Sequence, residues 1–250
     1  MSTDPTFAWT SSSRTDVGNE RQVNEDSCLD APGRGLWVVA DGMGGHAAGD
    51  VASQMLVSKL GGIASHEKLS TFVDDVEDRI LEVNQRLHEM SCQGPDAKVM
   101  GTTIAALLAF GQHIVCMWVG DSRVYRLREG ELLRQMTTDH SEVEEMIAEG
   151  KLDEASALDH PSANIVTRAV GGLEHVYVDL ELDELEDKDR FLICSDGLFK
   201  DLTEEEIEEF LGKGSCVNAC DGLLDTVLSR ECADNVTVIV VEFNEIGQEA

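Results

Sequence analysis

Strands follow one another along this chain with no room for a helix between them. The apolar run at residues 114–119 is separated from the β-prone run at 123–127 only by Gly120, Asp121 and Ser122. A parallel pair of strands needs a crossover of a dozen or more residues. This spacing therefore argues against a parallel, doubly wound sheet.

Short β-branched and aromatic runs, bounded by turn-forming residues, predict the strands of the fold. They lie at residues 36–40, 102–110, 114–119, 123–127, 191–194 and 236–243. The run at 123–127 leads to Glu129 and Gly130, which is typical of the turn of a hairpin.

Apolar residues at alternating spacings of three and four predict a long amphipathic helix. They are Val73, Val76, Ile80, Val83, Leu87 and Met90. A shorter helix is predicted at 51–60, and another at 219–228. Thr203 and Glu206 have the spacing of a capping box that opens a helix through Leu211. The sequence thus predicts an α+β fold in which helices cover the faces of antiparallel sheets.

The composition and charge of the chain limit the classes of molecule that can bind it. The chain has 250 residues, 42% of them apolar, which is enough for a sizeable core. Its formal charge of −30 repels nucleic acids and anionic membranes, so we expect neither as a partner. The seven cysteines show no paired spacing, and no apolar run approaches the ~18 residues of a membrane span. We expect reduced thiols and a cytoplasmic protein.

Four aspartates lie at the ends of predicted strands: Asp41, Asp121, Asp196 and Asp234. A single aspartate in such a place is usually a turn residue or a helix cap. If the sheets bring the four ends together, the carboxylates cannot all stay ionised without compensation, and a divalent cation supplies it. Oxygen ligands favour Mg²⁺, Mn²⁺ or Ca²⁺.

The glycine loop after the first of these strands has two interpretations. Gly42-x-Gly44-x-x-Ala47 fits the dinucleotide-binding fingerprint, which requires a second strand ending in an acid about 20 residues onward. Residues 59–66 offer no convincing strand. In the metal interpretation, Asp41 is a ligand, and Gly42 brings its carbonyl close to a metal because it lacks a Cβ.

Several motifs, in this order, resemble the metal-dependent PPM/PP2C-type protein serine/threonine phosphatases, especially the compact bacterial ones. The motifs are Arg21-Gln-Val-Asn24-Glu25-Asp26, Val38-Val-Ala-Asp41-Gly42-Met43-Gly44-Gly45, Gly101-Thr102-Thr103, Val119-Gly120-Asp121-Ser122-Arg123, Ser195-Asp196-Gly197 and Asp234-Asn235-Val-Thr. The resemblance covers nearly the whole chain. It implies one catalytic domain over residues 1–250, an αββα sandwich of two packed antiparallel sheets flanked by pairs of antiparallel helices, with a flap at about 137–172.

The resemblance also implies roles for individual residues. Arg21 would bind the substrate phosphate, and Asp41 would bridge two metal ions. Asp196 and Asp234 would complete the first metal site, and Glu25 with the Gly42 carbonyl would serve the second. Asp121 with Asp196 would hold a third, weaker ion. Asp26 and Asn235 would orient ligands and water.

The implied reaction is hydrolysis of phosphoserine or phosphothreonine by a hydroxide activated at a binuclear Mn²⁺ or Mg²⁺ centre. The resemblance further implies phosphoprotein substrates, an opposing bacterial serine/threonine kinase and a monomeric enzyme.

Met43 stands where animal members carry a histidine that protonates the leaving group, so His46 or metal-bound water remain as proton donors. A catalytically silent module that binds phosphoproteins is the alternative function. Within the flap, His140 and His160 are either surface histidines or residues that approach the substrate.

Overall fold

Strand follows strand in the computed structural model, as the sequence predicts. The structure describes residues 6–44, 48–92, 100–157 and 160–246. The strands within these ranges are β1 Thr6–Asp16, β2 Asp26–Ala31, β3 Leu36–Met43, β4 Gly101–Thr102, β5 Ile104–Phe110, β6 His113–Val119, β7 Arg123–Leu127, β8 Arg134–Gln135, β9 Asp179–Glu184, β10 Arg190–Cys194 and β11 Val236–Ile246. The helices are α1 Ala48–Gly61, α2 Leu69–Ser91, α3 Glu142–Ala148, α4 Glu154–Ala157, α5 Asp196–Phe199, α6 Glu204–Leu211 and α7 Cys216–Leu228.

The strands form two antiparallel sheets. One has the order β1-β11-β10-β7-β8, and the other has the order β2-β3-β5-β6-β9, with β4 paired to the end of β3. The predicted hairpin is confirmed, since β7 and β8 pair on either side of a turn that contains Gly130 at a φ of +81°.

Apolar residues pack in three layers. Along β3, Trp37 and Val39 face the layer between the sheets, while Val38 and Ala40 face the layer under α1 and α2. A third layer lies between the other sheet and helices α6 and α7. Because both faces of β3 are buried, its sequence is an unbroken apolar run rather than an alternating one. The prediction of an α+β sandwich with helices over the sheet faces is confirmed.

Helices α6 and α7 begin where a capping side chain precedes them. Thr203 and Glu206 form the predicted capping box at the start of α6. Helix α7 begins at Cys216, earlier than predicted, because Ser215 and Asn218 form a second capping box. Helix α1 is followed by α2, with no strand between them. The second strand that a dinucleotide site requires is therefore missing from this well-described stretch.

None of the helices in the described ranges combines the length and the apolar character that crossing a bilayer would need.

Candidate active site

The end of β3 meets the start of β2. Asp41 on β3 lies directly opposite Asp26 on β2. The backbone around Asp41 is fixed by two threonines: Thr103 Oγ1 accepts a hydrogen bond from the Asp41 N–H at 3.0 Å, and Thr102 Oγ1 donates to the Asp41 carbonyl at 2.9 Å. Since Asp41 is two residues beyond Val39, its side chain lies on the same face, at the edge of the layer between the sheets.

Gly42 lies where no side chain fits. A Cβ on Gly42 would be 2.1 Å from the carbonyl oxygen of Gly49 and 2.6 Å from that of Glu25. The Gly42 N–H donates to the Glu25 carbonyl at 3.1 Å. A Cβ on Gly49 would in turn lie 2.9 Å from the carboxyl carbon of Glu25. The close approach of β3, α1 and the residue before β2 thus requires glycine.

Asp196 opens helix α5 directly after β10, and Ser195 links it to the opposite sheet. Ser195 Oγ donates to Asp26 Oδ2 at 2.7 Å and accepts from the Thr237 N–H at 2.9 Å. This chain of hydrogen bonds joins β10, β11 and β2 at one end of the sandwich. Ser195 is thus a supporting residue of the site, held by hydrogen bonds on both sides.

Asn235 makes hydrogen bonds that hold the segment carrying Arg21 and Glu25 in place. Its Oδ1 accepts from the Glu25 N–H at 2.8 Å, and its Nδ2 donates to the carbonyls of Val17 at 2.8 Å and Val23 at 3.1 Å. The neighbouring Asp234 accepts a hydrogen bond from Arg21 Nη2 at 3.0 Å. The Arg21 side chain is 51% exposed, so its guanidinium stands at the solvent-facing side of the site.

Asp121 approaches from β6 through Gly120, which has a φ of +109°. His140 holds this turn: its Nδ1 accepts from the Gly120 N–H at 3.0 Å, and its backbone N–H donates to the Gly120 carbonyl at 2.9 Å. His140 is buried and stacks on Trp118. It is therefore not a surface histidine, and both of its ring nitrogens have protein partners. His160 is half-buried and accepts a hydrogen bond from the Ser162 N–H.

The carboxylates repel one another. Burial, followed by the negative charges of neighbouring aspartates, raises the pKa of Asp41 well above its ordinary value; these neighbours are Asp26, Asp196, Asp121 and Asp234. Burial and then the charge of Asp196 raise the pKa of Asp121 to about 7. Burial, opposed by hydrogen bonds with Thr237 and Ser195, also raises the pKa of Asp26 to about 7. A cation among these groups would relieve this repulsion.

Two oxygens in this cluster fit a cation. Asp26 Oδ1 and Asp196 Oδ1 are buried and have no hydrogen-bond partner. A buried polar atom without a partner is costly, and hard cations take carboxylate oxygens as ligands. Within the described ranges, no three histidine, cysteine, aspartate or glutamate side chains yet close around a common metal position. The fit rests on the two free oxygens and on the mutual repulsion.

The structure brings the predicted residues to one end of the sandwich. Five of them influence one another electrostatically: Asp26, Asp41, Asp121, Asp196 and Asp234. Glu25 and Gly42 lie beside α1, and Arg21 with Asn235 flanks Asp234. His46 lies outside the described residues. Sequence reasoning missed Lys200, whose Nζ contacts Asp196 Oδ2. The spacing of four residues on a helix was the available signal.

Comparison with known proteins places this arrangement in a family. The family model described as protein phosphatase 2C matches residues 18–229. The serine/threonine phosphatase stp of Listeria monocytogenes is 37% identical over 240 residues, which cover 92% of this chain and 94% of that protein. The serine/threonine protein phosphatase PstP of Mycobacterium tuberculosis is 36% identical over 92% of this chain, but the chain spans only 44% of its length.

Solved structures agree with the sequence matches. PppA, a key regulatory component of T6SS in Pseudomonas aeruginosa, has a TM-score of 0.88 and 38% identity over 97% of this chain and 100% of that one. The catalytic domain of PstP in complex with two manganese ions has a TM-score of 0.86 and 33% identity over 96% of this chain and 100% of that one. The chain therefore belongs to the protein phosphatase 2C family of serine/threonine protein phosphatases, as the order of its motifs predicts.

Proposed function

We propose that this chain hydrolyses phosphoserine and phosphothreonine in proteins, using two divalent cations, Mn²⁺ or Mg²⁺. The observation that carries the proposal is the buried aspartate cluster with two unpartnered oxygens beside an exposed arginine. One relative was solved with two manganese ions, which supports the same stoichiometry here.

The proposed ligands divide the cluster between two ions. Asp41 would serve both ions, Asp196 and Asp234 would complete the first, and Glu25 with the Gly42 carbonyl would serve the second. Asp121 with Asp196 offers a place for a third ion. When bound, such ions lower the pKa of water and neutralise charge on a phosphoryl group.

The remaining residues act on the substrate and on geometry. The Arg21 guanidinium offers a planar fork that binds two phosphate oxygens, and it faces solvent where a phosphoprotein can reach it. Asp26 is fixed through Oδ2 by Ser195, which leaves Oδ1 free to orient a water molecule. Asn235 holds the segment that carries both Arg21 and Glu25, so it positions them without contacting the substrate.

We further propose that residues 1–250 form one catalytic domain, with a flap at about 137–172, and that a serine/threonine kinase opposes this enzyme. The similarity to bacterial phosphatases over more than nine-tenths of the chain supports both proposals. A monomeric, cytoplasmic enzyme remains a prediction from the sequence.

The direct test is hydrolysis of a phosphothreonine peptide and of p-nitrophenyl phosphate, first after EDTA treatment and then with Mn²⁺ or Mg²⁺ added. Asp41→Asn is expected to lower kcat by about a hundredfold or more, because a ligand shared by both ions is lost. Its unfolding free energy in EDTA is expected not to fall, since the change removes a charge from a repelling cluster. Asp78→Asn, on an exposed position of α2, is the control and should keep full activity.

Three outcomes separate the candidate functions. Turnover that requires metal and is lost in Asp41→Asn supports the phosphatase. Turnover that persists in EDTA, or in Asp41→Asn with metal, contradicts it. No turnover with any metal, together with intact binding of the phosphopeptide, would favour the silent binding module.

A further inference from the structure

A lysine occupies part of the carboxylate cluster. Lys200 directly follows helix α5, and its Nζ contacts Oδ2 of Asp196, four residues earlier. The lysine side chain is 35% exposed and that of Asp196 only 11%. The ammonium group is thus held on the buried aspartate, at the solvent-facing side of the cluster.

The influence of Lys200 extends to the neighbouring carboxylates. Burial disfavours its charged form, but Asp196 and then Asp121 and Asp234 outweigh this effect and raise the pKa of Lys200 above its ordinary value. The same ammonium offsets part of the rise in the pKa of Asp121 that burial and Asp196 cause. A lysine ammonium is positively charged at neutral pH, so Lys200 places a positive charge directly against Asp196 and near Asp121 and Asp234.

The contact with Lys200 satisfies only one of the two carboxylate oxygens of Asp196. Oδ2 has the lysine, whereas Oδ1 is buried with no hydrogen-bond partner. A cation that takes Asp196 as a ligand can use Oδ1, but it then lies close to the ammonium group. Like charges at such short range repel, and a partly buried site is screened less than an exposed one.

We propose that Lys200 is a tethered cation that competes with metal ions at Asp196, most strongly with an ion shared by Asp196 and Asp121. It thereby sets the metal concentration that the centre needs. This inference rests on the proposed metal-dependent function, and its test separates the two.

The test is calorimetric titration of the full chain with Mn²⁺ after removal of metal by EDTA and dialysis. Lys200→Met removes the charge and keeps most of the side-chain volume. It is expected to tighten the Mn²⁺ site that involves Asp196 by about tenfold or more, or to add a site that the unaltered protein does not fill. Lys200→Arg keeps the charge and should stay within about threefold of the unaltered protein.

Lys213 provides a matched control. Its Nζ contacts Glu209 with the same spacing of four residues, but both side chains are exposed and distant from the cluster. Lys213→Met is expected to leave Mn²⁺ affinity and stoichiometry unchanged. Thermal unfolding in EDTA verifies that each variant is folded before titration.

The results have distinct meanings. Tighter or additional Mn²⁺ binding in Lys200→Met alone supports the competition. If Lys200→Met binds Mn²⁺ as the unaltered protein does, or if Lys200→Arg matches Lys200→Met, the proposal is overturned while the metal centre stands. If the unaltered protein and Lys200→Met both fail to bind Mn²⁺, the proposed function and this inference fall together.

Discussion

At the scale of single residues, the site is a set of half-satisfied carboxylates. Asp26 and Asp196 each have one oxygen engaged by a side chain and one buried without a partner. Such an oxygen costs about 1–3 kcal/mol when no partner compensates it. A ligand that binds only the folded protein returns stability by mass action. Metal binding should therefore raise the stability of this fold as well as enable its chemistry.

Substitutions of Arg21 can test whether this residue binds the substrate phosphate. In Arg21→Ala the phosphate loses its bidentate partner, so we expect KM for a phosphothreonine peptide to rise by about tenfold or more with a smaller change in kcat. Arg21→Lys keeps the charge without the planar fork, so its KM should lie between those of the unaltered protein and Arg21→Ala. Steady-state kinetics with saturating Mn²⁺ measures KM and kcat for each protein. An unchanged kcat/KM in Arg21→Ala would show that the arginine serves only its ion pair with Asp234.

At the scale of elements, local patterns predicted the strands that are buried on both faces and missed those that depend on distant partners. Strand β1 is rich in serine and threonine, and it is ordered by pairing along its whole length with β11, more than 200 residues away. Strand β9 alternates leucine with acids, but its leucines are exposed while Arg126 and Arg134 pair with the acids. Pairing and burial of this kind cannot be read from propensity alone.

Some residues of the candidate site could likewise be predicted from local sequence patterns, and others could not. The aspartates at the strand ends could be found because motifs of short range mark them. The hydrogen bond from Ser195 to Asp26 and the buried position of His140 depend on contacts that only the folded sheets create. The contact of Lys200 with Asp196 spans only four residues, so its spacing was a local signal that the motifs do not include.

The approach of β3 to α1 gives a prediction for Gly42. In Gly42→Ala the new Cβ would meet backbone oxygens of Gly49 and Glu25, which cannot move independently of α1 and β2. We expect a loss of about 1–3 kcal/mol in unfolding free energy and weaker Mn²⁺ binding, measured by denaturant unfolding and calorimetry. Gly33→Ala is the control, since a Cβ there meets nothing within 4 Å. Equal stability of the two variants would contradict the proposed close packing.

The buried position of His140 gives a prediction about the pH dependence of stability. His140 accepts from the Gly120 N–H through Nδ1, so its own proton lies on Nε2, which donates to Asp179 Oδ2 at 2.9 Å. Burial, only partly opposed by Asp179, lowers the pKa of His140 below its ordinary value of 6.5. As the pH falls, the unfolded chain therefore takes up the proton first. The stabilisation is fully present above about pH 6.5 and is lost as the pH falls below it.

His140→Asn isolates this contribution, because the asparagine Oδ1 can still accept from Gly120 but does not titrate. We expect the difference in unfolding free energy between the unaltered protein and His140→Asn to shrink as the pH falls from about 7.5 to about 5. Aspartates with raised pKa values act in the opposite direction, but they are common to both proteins and cancel in the difference. A difference that stays constant over this range would rule out titration of His140.

At the scale of the whole molecule, a strongly acidic chain gathers several carboxylates at one end of a sandwich whose core holds them in place. The formal charge of −30 raises the local concentration of cations. The three apolar layers fix the ends of β3, β10 and β11 relative to one another, so the aspartates cannot move apart to relieve their repulsion. The fold thus maintains a cluster of carboxylates that a divalent cation would stabilise.

We propose that these carboxylates hold two catalytic metal ions. A crystal of the protein soaked in Mn²⁺, with anomalous scattering used to locate the metal, tests this proposal without relying on activity. We predict two strong manganese peaks on either side of Asp41, one reached by Asp196 and Asp234 and the other by Glu25 and the Gly42 carbonyl. Manganese found only at surface carboxylates, with Asp41 free of metal at saturating Mn²⁺, would contradict the account.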